Sequence, residues 1–171
     1  MGSAQRMLAG SLLAAVAPVA AQSIMDGTAQ RNDALVVANI AAGFRSLAGS
    51  SDNARALVEA LREGHPVRLV AQDMDASDML PCVTLVEPPT GPMKWNDVKM
   101  ALMLTRDALL GAGITRPTHG QLRAAMLGGI VTPRGRRPVN LRGVLAMRAE
   151  GMNWGRIAAV RYQRPAVTRV D

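Results

Sequence analysis

The first two dozen residues, MGSAQRMLAGSLLAAVAPVAAQS, have the order of an export leader, and a leader decides which residues are left to fold. Arg6 supplies a short positive start, Met7 to Ala17 an apolar run, Pro18 a break, and Val19-Ala20-Ala21 the small residues at which a signal peptidase cuts. The apolar run falls short of the roughly 18 residues of a membrane-spanning helix, and no later segment stays apolar that long. The expectation is a periplasmic or secreted chain beginning near Gln22, with no transmembrane segment. The alternative is an alanine-rich first helix of a protein that stays inside the cell.

Residues 22–171 must then build a core without staples. Cys82 is the one cysteine, so no internal disulfide is available, and its neighbours Val83, Leu85 and Val86 predict a buried thiol. Aromatic residues are confined to Phe44, Trp95, Trp154 and Tyr162, which leaves Ala, Leu, Val and Met as core material. Eleven methionines invite a Cu(I) reading, but Met100 and Met103 share their segment with Leu102 and Leu104 and no histidine is near. They read as adaptable core filler, and no cofactor is implied.

Charge is unevenly placed. Residues 22–114 carry 8 Arg and Lys against 11 Asp and Glu, whereas residues 115–171 carry 11 against 2. The excess predicts that the C-terminal half meets an acidic partner or envelope component, or that it balances the first half.

Periodicity and punctuation predict a mainly α (α+β) fold of short helices with a small β-hairpin. Val36, Ile40, Phe44 and Leu47 recur at helical spacing between a cap at Asn32 or Asp33 and Gly49. Ser51 and Asp52 introduce a second helix through Ala54, Leu57, Val58 and Leu61, and Gly64 stops it. Val67–Val70 and Cys82–Val86 read as strands. Asp73, Asp75 and Asp78 between them lack the glycine and glutamate of a calcium loop, and a solvated acidic loop is the better reading. Pro88, Pro89 and Pro92 form a linker. The chain thus divides into a leader (1–21), an N-terminal helical segment with short strands (22–87), the Pro-rich linker (88–92) and a C-terminal helical region with a basic hairpin (93–171).

In that last region, Trp95–Leu110 predicts a long helix, and Thr118-His119-Gly120-Gln121 a capping box opening a shorter one. Strands at Ile130–Thr132 and Pro138–Leu141 flank the tip Pro133-Arg134-Gly135-Arg136-Arg137, and two helices follow at about 141–150 and 153–162. Trp95 and Trp154 each follow a Gly-x-Met or Gly-Met-x pattern and are expected to pack over the first turn of the helix they open.

The stretch from Met93 to Val160 resembles a group of small exported bacterial proteins of unknown function. The resemblance rests on the Trp95 helix, Pro117-Thr118, Gln121-Leu122, Gly128-Gly129 and the motif Gly151-Met152-Asn153-Trp154-Gly155-Arg156-Ile157-Ala158. Lys94 and Asn96 depart from that pattern, in which glycine flanks the aromatic. The resemblance implies export and architecture, and no chemistry.

No zinc spacing, phosphate loop or nucleophile elbow occurs. His65 and His119 stand apart on loop-like segments, with surface or capping roles. Asp97 and Asp107 fit the charged outer face of the Trp95 helix better than an acid–base pair. No catalytic residue and no metal ligand is therefore assigned, and the chain is expected not to be an enzyme. The candidate binding residues are Arg134, Arg136, Arg137, Arg142, Arg156, Arg161 and Arg164. The alternative is a helix-turn-helix-like DNA-binding protein using residues 141–170, in which Gly151 marks the turn and Arg156, Arg161, Arg164 and Arg169 meet phosphates.

Overall fold

Leu57, Val58 and Leu61 lie on one stripe of a helix with Asn53 and Ala54, and all five are buried. That helix, α3 (Ser51–Glu63), organises the first part of a computed structural model that describes residues 19–71 and 82–162, with side chains from 31–71 and 82–160. Residues 1–18 of the expected leader, the acidic segment 72–81 and the tail 163–171 lie outside the described residues. The chain forms two compact units, Met1–Asp33 and Ala34–Asp171.

The remaining elements are α1 (Val19–Ala42), α2 (Arg45–Ala48), β1 (Val67–Val70), β2 (Val83–Val86), α4 (Trp95–Gly111), α5 (His119–Leu127), β3 (Gly129–Val131), β4 (Val139–Leu141), α6 (Val144–Ala149) and α7 (Trp154–Tyr162). The protein is mainly helical, with two separate two-stranded antiparallel sheets, β1–β2 and β3–β4.

The first helix differs from its sequence reading. It begins by Val19 rather than at Asn32, and it breaks at Gly43-Phe44, where both amides turn back to carbonyls three residues earlier before α2 resumes. The cap of α3 is Ser50, one position before the residues expected, with its hydroxyl accepting from the Asn53 amide at 3.0 Å. The capping box of α5 forms as its spacing predicts: Thr118 Oγ1 accepts from the Gln121 amide at 3.2 Å and Gln121 Oε1 accepts from the Thr118 amide at 3.0 Å.

In β1–β2 the residues alternate cleanly. Val67, Leu69 and Val86 face the core, while Arg68, Val70, Val83 and Leu85 face outwards. Cys82, just before β2, is exposed, not buried. The apolar neighbours behind that expectation, Val83 and Leu85, themselves point to the open face.

One cluster of buried side chains takes in Leu57 and Leu61 from before the prolines of 88–92 and Leu102, Leu109 and Leu122 from after them. A smaller cluster joins Leu104 of α4 to Val144, Met147 and Ile157 of α6 and α7. α4 thus serves both: Val98, Ala101, Leu102 and Leu109 face one cluster and Leu104 the other, so it is buried on more than one side. Met93, Met126 and Met147 are buried filler, whereas Met100 is exposed.

The proline segment is tied down at its end. Met93 N donates to Arg62 O at 3.2 Å, and Arg62 Nη1 donates to Met93 O at 3.1 Å. Gly64, the left-handed C-cap of α3 (φ 76°), lies so close to Gly91 and Pro92 that a β-carbon would collide with the Pro92 nitrogen.

Candidate functional site

The candidate arginines owe their exposure to one turn. Between β3 and β4, Arg136 N donates to Pro133 O at 3.1 Å, and Gly135 takes the third position with φ 69°, a backbone region that suits glycine. Pro133 is buried as the anchor, which turns Arg134, Arg136 and Arg137 outwards, all exposed. The Arg136 guanidinium folds back over Gly113, just beyond α4, where a β-carbon would lie 2.7 Å from Nη1. That places a cation near the negative pole of the longest helix of the Ala34–Asp171 unit. Among the described residues, no carboxylate lies within ion-pair distance of these three arginines.

The other candidates are not equivalent to them. Arg142 Nη2 donates to Glu150 Oε2 at 3.2 Å across the surface, so its charge is already answered within the chain. Arg156 is exposed in the first turn of α7, and its backbone N–H donates to Asn153 Oδ1 at 2.8 Å. Arg161 lies within α7, but its side chain is outside the described set, as is all of Arg164.

A second polar grouping lies where α4, α6 and α7 meet. Trp154 Nε1 donates to Asp97 Oδ1 at 2.6 Å, the Arg148 guanidinium covers the same indole 4.8 Å from its centroid, and Arg148 Nη1 donates to Met152 O at 3.0 Å. Asp97 and Arg148 also line a cleft of about 380 Å³ with Pro89, Thr90, Pro92 and Met93. The indoles thus reach other elements: Trp95 lies beneath Arg62 of α3 at 5.1 Å, and Phe44 carries Arg106 of α4 at 5.5 Å. These contacts give the aromatics a structural role that explains their placement without a ligand.

A third grouping is buried. Asn53 Oδ1 accepts from Val70 N at 3.1 Å and Asn53 Nδ2 donates to Val70 O at 2.8 Å, while Nδ2 also lies 3.2 Å from Ala48 O. His119 Nε2 sits 3.0 Å from the same Ala48 carbonyl and 3.2 Å from Asn53 Nδ2. With Nδ2 a donor and Ala48 O an acceptor, a proton on Nε2 satisfies the group. His119 therefore ties α5 to α2 and α3 rather than ending at the surface. His65 remains exposed, 2.5 Å from Glu63 Oε2. Asp107 lies beside Arg106 at 4.0 Å.

Among the described residues, no three His, Cys, Asp or Glu side chains converge to hold a metal ion, and no helix is long and apolar enough to cross a membrane. No protein-family model, curated protein sequence or solved structure matches this chain.

Proposed function

We propose that this is an exported binding protein, periplasmic or secreted, that docks an acidic component of the cell envelope on the arginines of its β3–β4 turn. The observation that carries the reading is the turn itself: Arg134, Arg136 and Arg137 are held within four positions on a buried proline, without an acidic partner among the described residues. Three guanidiniums on a short, ordered turn add their fields at one point, which favours phosphate- or carboxylate-rich surfaces. Arg156 and Arg161 of α7 extend the basic character of the same half. Export draws support from the order of Arg6, the apolar run and Val19-Ala20-Ala21, and from the core itself, whose first described member is Val37.

The alternative, DNA binding through residues 141–170, draws on α6 and α7, which are joined by a short turn with Gly151 at φ 88°. Against it, Ile157 of α7 is fully buried and Ala158 and Val160 pack inwards, which leaves Gly155, Arg156 and Ala159 as its exposed described residues.

One set of measurements decides. Protein recovered from its native host should begin near Gln22, and it should sediment with vesicles containing an anionic phospholipid in a salt-dependent way, but not with zwitterionic ones. Replacing Arg134, Arg136 and Arg137 together by Gln should abolish that sedimentation. An intact Met1, or binding that survives the triple replacement, overturns the proposal. Tighter binding to duplex DNA than to anionic vesicles at equal salt moves the function to the α6–α7 reading.

A further inference from the structure

The two edges of the β1–β2 sheet are not treated alike. In the register Val67↔Val86, Arg68↔Leu85, Leu69↔Thr84 and Val70↔Val83, Ala71 N donates to Cys82 O at 3.2 Å, so the Ala71–Cys82 position is a hydrogen-bonded pair. Alternation along an antiparallel ladder then makes Leu69–Thr84 and Val67–Val86 the paired positions. Arg68 and Val70 on β1, and Val83 and Leu85 on β2, turn their N–H and C=O groups away from the partner strand.

The outer edge of β1 is closed. Both groups of Val70 are taken by the Asn53 carboxamide, which does there what a neighbouring strand would do, and Arg68 places a charge at the next outward position. The outer edge of β2 has no such guard. Among the described residues nothing bonds to the outward groups of Val83 and Leu85, and their side chains are 50% and 43% exposed.

Beside this edge runs a groove of about 510 Å³ lined by Val83, Thr84, Leu85, Glu87, Arg123 and Leu127. Three consecutive strand residues whose side chains alternate between faces line one groove together along the strand's edge, and β1 contributes nothing to it. The opposite wall is α5, through Arg123 and Leu127 one helical turn apart. A strand edge facing a helix across such a groove is the geometry in which an extended peptide adds to a sheet.

We propose that this groove receives an extended peptide of alternating apolar residues with an acidic residue beside them, added as a third strand along β2. Backbone groups of Val83 and Leu85 supply the ladder, and Val83, Leu85 and Leu127 meet the apolar side chains. Charge selects the partner: Arg123 lines the groove without an acidic partner among the described residues, and Arg68 stands opposite Leu85, against the single carboxylate of Glu87. This surface is independent of the β3–β4 arginines.

The test uses two synthetic peptides of alternating valine and threonine, one ending in two aspartates and the other in two lysines, with amide exchange of the full chain followed residue by residue. The aspartate peptide should slow exchange at Val83 and Leu85 and bind several-fold more tightly than its lysine twin. Arg123→Glu should reverse that preference and Arg123→Gln should erase it, with unchanged exchange at Leu57 reporting an intact core. Unaltered exchange at Val83 and Leu85 with either peptide overturns the proposal, as does a charge preference indifferent to Arg123. Protection of these amides that grows with protein concentration alone overturns it too, since a second copy would then hold the edge.

Discussion

Trp154 Nε1 donates to Asp97 Oδ1 at 2.6 Å, linking the first turn of α7 to the first turn of α4 across 57 positions of sequence. The indole is half-buried, packs against both hydrophobic clusters and lies under the Arg148 guanidinium. A single side chain therefore holds the last described helix to the molecule by apolar contact, a charge-assisted hydrogen bond and a cation–π contact.

Trp154→Ala should cost about 3 kcal/mol in urea unfolding, as expected for removing a large packed ring. Trp154→Phe keeps most of the apolar contact and loses the donor, and should cost about 1.5 kcal/mol. Near-wild-type stability of the alanine variant would show that α7 does not depend on this anchor.

Asn53→Leu retains size and removes the carboxamide, leaving Val70 N–H and C=O without their partner. Burying those groups unpaired should cost about 2 to 3 kcal/mol, and the Val70 amide should exchange faster even where the rest of the sheet is protected. A stability change within experimental error, with unaltered exchange at Val70, would show that water replaces the amide at no cost.

Thr105 is fully buried in α4, and its Oγ1 has no hydrogen-bond partner. Thr105→Val preserves shape and removes the orphaned hydroxyl, so it should raise stability by about 1 kcal/mol in thermal or urea unfolding. A loss instead would mean that the hydroxyl is satisfied in solution.

What the sequence made legible was local. The stop at Gly64, the Thr118–Gln121 capping box and the hairpin around Pro133-Arg134-Gly135 are signals spanning a few residues, and each lies where the spacing places it. The break at Phe44 was hidden because Val36, Ile40, Phe44 and Leu47 keep helical spacing across it. The exposure of Cys82 was hidden because Val83 and Leu85 look like core residues until the face of the sheet is known.

The long-range polar pairs were least visible. Trp154–Asp97 and His119–Ala48 join residues 57 and 71 positions apart, and no spacing rule connects them. Asn53 left one trace: it is a polar residue on the same stripe as Leu57 and Leu61, where an unpaired amide would be costly. The three exposed arginines of the hairpin tip were legible from sequence, whereas the pairing of Arg142 with Glu150 was not.

Three prolines within five residues suggest a hinge, yet this stretch behaves as a buckle. Reciprocal bonds between Arg62 and Met93, with the bare backbone of Gly64 seated on Pro92, fasten the end of α3 to the entry of α4. Whatever meets the basic turn or the open strand edge therefore meets surfaces whose supporting helices share one fastening, and a pull on either is felt by both.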